Sequence, residues 1–178
     1  MKKRIALTLI FTTISLSSIY AQYENNWAVG LKIGEPLGLN IRKYFSYGDR
    51  VFDVNVGSFG FLYGRERNYG KDQIYNEAGV MVQGIYQFHR SLGKNEKLHA
   101  YYGFGGQINS RNRAPKIGER DAFRVISLGP AVNSGLEFSI PENDLAVFID
   151  AGGYLEIAPK PFFLVPNINL GLRINIIK

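Results

Sequence analysis

From Asn26 onward apolar residues alternate with small or polar ones. In "NWAVGLKIG" Trp27, Val29, Leu31 and Ile33 take every second place, with Ala28, Gly30, Lys32 and Gly34 between them. After Glu35-Pro36 the alternation resumes, with Leu37, Leu39 and Ile41 set against Gly38, Asn40 and Arg42. Successive side chains of a strand point to opposite faces, so a period of two predicts strands with one apolar face. Eight such runs occur, at roughly 26–34, 37–45, 51–61, 79–89, 98–109, 124–139, 145–157 and 162–176. The last is the clearest: Leu164, Ile168, Leu170, Leu172, Ile174 and Ile176 against Asn167, Asn169, Gly171, Arg173 and Asn175. Only Phe148 breaks the pattern of the seventh run.

The connections alternate in length. "SYGDR", "SLGKNEK" and "PEND" are short turns after the second, fourth and sixth runs. "LYGRERNYGKDQIYNEA" and "SRNRAPKIGERDAF", after the third and fifth, are long. "GEP" and "APKP" complete the long-loop side with shorter links. Short turns at one end and longer loops at the other characterise outer-membrane barrels.

Alternation alone leaves open which face is inside. A soluble lipocalin-like barrel has the same strand count with its apolar face inward, around an apolar ligand. Three features favour the inverted arrangement. The polar face is mostly Gly, Ala, Ser, Asn and Gln, small enough for the narrow interior of an eight-stranded barrel. Its charges have both signs: Lys32, Arg42 and Arg173 share a face with Asp53, Glu137 and Asp150. Enclosed charges of opposite sign can pair, as burial requires. Aromatic residues gather at strand ends, as in the girdles at bilayer interfaces. Trp27, Phe45, Phe52, Tyr86, Phe88, Tyr102 and Phe138 fall toward the short turns, and Phe59, Phe61, Tyr63, Phe123, Phe162 and Phe163 toward the long loops.

The expected fold is therefore all-β, an eight-stranded antiparallel up-and-down transmembrane barrel. Its start supports export. "MKKR" precedes the uncharged apolar stretch "IALTLIFTTISLSSIYA", which reads as a secretory signal peptide over residues 1–21, leaving a barrel domain over 22–178. The formal charge of +6 includes Lys2, Lys3 and Arg4 of that leader, so half of it leaves with them and no nucleic-acid footprint is read from it. The chain has no cysteine. Disulfides and zinc–thiolate sites are thus excluded, and an exported sheet must protect its edges by closing.

Leader, eight runs and loop asymmetry together resemble the small outer-membrane β-barrel proteins of Gram-negative bacteria, of the OmpA-domain and OmpX kind. The resemblance is architectural and covers nearly all of residues 23–178. It implies an integral outer-membrane protein, put in place by the barrel-assembly machinery, with both strand-end termini periplasmic. Members commonly end in an aromatic residue, whereas this chain ends "INIIK". Pro130 and Pro166 fall within predicted strands, where each removes a ladder donor.

Candidate chemistry is sparse. His89 and Ser91 in "FHRSLG" have the spacing of the His and Ser of outer-membrane lipid A deacylases, in which the His takes the hydroxyl proton. Here Leu92 follows the serine where those enzymes have Asn, and the pair sits at a short-turn end. Asp53, Glu137, Asp150 and Glu156 share the lumen parity, but a filled barrel offers no open cleft for paired-carboxylate hydrolysis. No metal-ligand spacing is present. "GFGGQ" at 103–107 is not a dinucleotide loop, since no helix follows, and no cofactor is expected. A non-enzymatic role is expected, structural or exerted through the loops. Within 110–123, Arg111, Arg113, Lys116 and Arg120 face Glu119 and Asp121, a net of +2. Such a loop suits lipopolysaccharide phosphates through charge-assisted bonds. The loop over 62–78 is rich in Tyr, Asn and Gly and carries no net charge.

Overall fold

The eight runs become eight antiparallel strands in the computed structural model of the chain, which describes residues 26–60, 78–93, 97–113, 123–140, 144–159 and 161–176. They are β1 (Trp27–Glu35), β2 (Leu37–Phe45), β3 (Arg50–Phe59), β4 (Gly79–Leu92), β5 (Leu98–Arg113), β6 (Phe123–Ile140), β7 (Leu145–Glu156) and β8 (Phe163–Ile176). Each pairs with its neighbour in sequence, and β8 returns to β1 over Trp27↔Ile176 to Glu35↔Ile168, closing a barrel. Closure leaves no sheet edge to template aggregation. Residues 1–21, expected from the sequence to be a signal peptide, lie outside the described residues.

Burial follows the sequence period. Along β1 the side chains alternate exposed and buried from Trp27 to Ile33, and β8 does the same from Asn167 to Ile176. The apolar set points out: Leu31, Ile33, Val80, Ile126 and Leu164 are each at least 60% exposed. Soluble proteins rarely show contiguous apolar patches beyond a few hundred Å², whereas here the apolar belt encircles the molecule. The soluble alternative, with an apolar ligand inside, is thereby overturned. The interior is lined by Lys, Arg, Asp, Glu, Asn and Gln instead.

The two strand prolines are accommodated differently. Pro130 lies in β6 opposite a register shift. Ala131 pairs with Tyr154, whereas Leu128 bridges Ala158, so the partner segment holds one extra residue between the two pairings. That is a β-bulge, placed where the ladder lacks a donor. Pro166 pairs with Gly153 and sits beyond Ile168, the last β8 residue paired with β1. There β8 has a neighbour on one side only.

The short-turn girdle forms as the pattern predicts: Trp27, Phe45, Phe52, Tyr102 and Phe138 are exposed on the outer wall, and Tyr86 and Phe88 share that face. The long-loop girdle needs correction. Phe59 is buried in the lumen, and Phe163 packs beside it. Phe162 is 88% exposed at a positive φ in the turn before β8. Phe61 and Tyr63 lie outside the described residues, as does the Phe123 side chain.

Candidate functional site

Alternation places one side chain in two inside a barrel too narrow to hold water throughout, so the lumen is the chemical centre of the molecule. Lys32 (β1), Arg42 (β2), Asp53 (β3), Glu137 (β6), Asp150 (β7) and Arg173 (β8) all point into it, and none is more than 3% exposed. Three cations meet three carboxylates. Arg42 is the hub. Its Nη2 lies 2.7 Å from Asp53 Oδ2 and its Nη1 2.8 Å from Glu137 Oε2. Its remaining donors reach Gln87 Oε1 at 2.7 Å and His89 Nε2 at 3.1 Å. Arg173 pairs with the same Glu137 oxygen, donates to Asn40 Oδ1, and stands 3.7 Å from Asp53. Lys32 and Asp150 pair at 3.0 Å, and Asn169 and Tyr101 also donate to Asp150.

The Arg42–Glu137 pair joins β2 to β6, on opposite walls, so it is a strut across the bore. Aromatic rings fill the space around it. Arg173 lies 3.7 Å over the Phe148 ring and Arg42 5.0 Å over Tyr101. Phe148, the residue that breaks the apolar alternation, is thus a lumen residue. Gly171 makes room for it, since an added methyl would overlap the Phe148 ring.

Above this waist a relay of amides climbs toward the long loops. Asn40 donates to Asp53 and Asn55, Asn55 to Gln83, Gln83 to Gln107, Gln107 to Asn109, and Asn109 to Ser127, each at 2.6–3.0 Å. Tyr154 closes it with a 3.2 Å bond to Ser127. Sequence reading reduced these amides to small lumen fillers; their common parity is the signal that groups them. An apolar plug of Phe59, Met81, Tyr154 and Val165 follows, with Phe59 and Tyr154 edge to face at 5.7 Å. Along β8, Asn167 Oδ1, Asn169 Oδ1 and the Asn175 amide are buried with no hydrogen-bond partner among the described residues. Buried polar groups are rarely left unsatisfied, and these asparagines are exceptions among the described residues.

Of the basic loop set, Arg111 is placed elsewhere. Arg111 belongs to β5, not to a loop. It is 3% exposed, with its guanidinium 5.7 Å over the Phe59 ring. The reason is parity: β5 continues through "SRNR" to Arg113, and Arg111 keeps the inward phase of Gln107 and Asn109. Arg113 ends the strand, its side chain outside the described residues, as are Lys116 and Arg120. His89 and Ser91 are also separated in role. His89 is 2% exposed, and a guanidinium can only donate. Its Nε2 lone pair is therefore engaged by Arg42 and is not free to take a proton from Ser91. Among the described residues no group of three or more His, Asp or Glu side chains is placed to hold a metal ion.

The fold of this closed eight-stranded sheet is also found among solved structures. The attachment invasion locus protein Ail of Yersinia pestis superposes with a TM-score of 0.50 at 10% identity, over 85% of this chain and 94% of that one. The fold is that of the small outer-membrane β-barrels. Neisserial surface protein A gives a TM-score of 0.49 at 15% identity, over 85% of this barrel's chain and 94% of its own. The sequence itself matches no protein-family profile and no curated protein.

Proposed function

We propose that the chain is a sealed integral protein of the outer membrane that acts without catalysis, through the surface its long loops present. The observation that supports this most is the strut across the bore. Arg42 and Arg173 meet Asp53 and Glu137 from four strands, and the apolar plug lies above them. At this waist the charged side chains that a transporter or enzyme would offer to a substrate are engaged with one another. Water-filled channels occur in barrels of about 16 strands and more, and this one has half that number. The functional surface is then the long-loop end, over 60–78 and 113–123. Lipopolysaccharide phosphate is the partner we assign to the second loop, whose sequence without Arg111 sets Arg113, Lys116 and Arg120 against Glu119 and Asp121.

Two measurements test this reading. Purified protein in planar bilayers is expected to show no steady conductance; a stable open channel in the wild type would contradict the sealed bore. Replacing residues 62–76 by a short Asn-Gly turn, and separately 114–121, is expected to leave the barrel folded and to remove binding to lipopolysaccharide micelles in at least one variant. Binding retained by both would place the working surface elsewhere.

A further inference from the structure

The outer wall is not uniform at the short-turn rim. On β2, β3 and β4 the outward positions include Lys43, Arg50 and Arg90. On β6, β7, β8 and β1 the corresponding positions are Phe138, Ile140, Leu145, Val147, Ile174, Ile176 and Trp27, with no charge. Among the described strand residues the outward cations of this rim are therefore confined to one flank. Aromatic rings hold two of them there. Arg50 lies 4.6 Å over Phe88, which stacks at 5.3 Å on Tyr102, and Lys43 lies 5.0 Å over Trp27. Asp49 and Asp144, the described acids in the turns at this end, make no ion pair with Arg50 or Arg90 among the described residues.

The same flank carries a groove above the cations. Gly84 pairs with Gly106, and Gly106 with Pro130, so three adjacent strands lack long side chains at one level of the lipid-facing wall. Ile108, Leu128 and Ile157 complete a cavity of about 570 Å³ that is almost wholly apolar. From Arg90 to Gly84 the strand climbs about 20 Å, at roughly 3.3 Å per residue. A strand tilt near 40° reduces this to about 15 Å of depth, one leaflet of a hydrocarbon core about 30 Å thick.

We propose that this flank is a binding site for an anionic phospholipid of the periplasmic leaflet, with its phosphate at Arg50 and Arg90 and one acyl chain in the groove at Gly84, Gly106 and Pro130. Short turns mark the periplasmic end of such barrels. Arginine presents a planar fork suited to phosphate oxygens, and an aromatic face that already positions the guanidinium lowers the ordering cost of binding. Net negative charge on the headgroup is selected because no described acid neutralises the two arginines. The groove adds chain contact without regard to the headgroup.

Native mass spectrometry of the full chain in detergent, doped equally with phosphatidylglycerol and phosphatidylethanolamine of identical chains, tests this. The wild type is expected to retain several-fold more phosphatidylglycerol. Arg50→Gln with Arg90→Gln is expected to bring the ratio close to one, with the barrel's heat-dependent gel shift intact as proof of folding. Gly106→Leu puts a side chain into the groove at a position where an added Cβ meets only the Gly129 carbonyl, at 3.8 Å. It is expected to cut retention of both lipids several-fold while keeping the preference. Equal retention of the two lipids by the wild type, or an unchanged ratio in the double variant, would overturn the headgroup assignment. Unchanged total retention in Gly106→Leu would overturn the placement of the acyl chain.

Discussion

The waist of the lumen and its long-loop end solve the same problem by opposite means. Both fill a bore about as wide as a side chain is long. The waist does so with Arg42, Asp53, Glu137 and Arg173, each fully buried and each dependent on the others. The long-loop end does so with Phe59, Met81, Tyr154 and Val165, which act mainly by volume, with the Tyr154 hydroxyl bonded to Ser127. Removing one member of a buried charge network strands its partners, whereas an apolar cluster loses only contact and transfer energy. The difference teaches where the barrel is brittle: the waist fixes which strands face one another, and the plug tolerates exchange.

The largest expected effect is at the waist. Arg173→Ala leaves Glu137 and Asp53 to share Arg42 and is expected to cost about 3–5 kcal/mol, read as a lower urea midpoint in detergent micelles. A midpoint within error of wild type would erase the distinction between the two regions. Sharper still is the pair: Arg173→Ala combined with Glu137→Ala is expected to cost less than the sum of the single changes, by about 0.5–3 kcal/mol. Strict additivity in that cycle would show that the two side chains do not act as a unit.

Next in size is Gly171→Ala, where the new methyl must displace Phe148 from beneath Arg173 and also meets the Leu31 carbonyl at 2.6 Å. Overpacking of this kind costs about 1–3 kcal/mol. The same unfolding assay checks it, and rescue by Phe148→Leu in the Gly171→Ala background would localise the clash. The smallest effect is expected in the plug. Met81→Leu conserves volume and should cost less than about 1.5 kcal/mol. A loss as large as that of Arg173→Ala would mean that the plug is as specific as the waist.

Much of this was legible from period two alone. Parity put Lys32, Arg42, Asp53, Glu137, Asp150 and Arg173 on one face, and the structure places all six in one lumen. What parity did not say is which of them meet, because Arg42 finds Glu137 across the bore, not along a ladder. Residue type misleads where it runs against phase. Phe59 resembles a girdle aromatic, yet it is in phase with Asp53 and Asn55 and points inward. Arg111 resembles a loop cation, yet β5 continues past it and buries it over that same Phe59. The bulge opposite Pro130 depends on pairing between β6 and the segment after β7, a long-range register that no local pattern carries.

The central claim is the orientation of the two faces, and the absence of cysteine makes it directly measurable. Single cysteines at Ile168, Leu170 and Leu172, and at Asn167 and Asn169, would be spin-labelled in the protein reconstituted into lipid bilayers. Relaxation by oxygen, which concentrates in the hydrocarbon, is expected to be strong at the first three and weak at the other two, with a period of two. Strong relaxation at Asn167 and Asn169 with protection at Leu170 would put the apolar face inside and contradict the account.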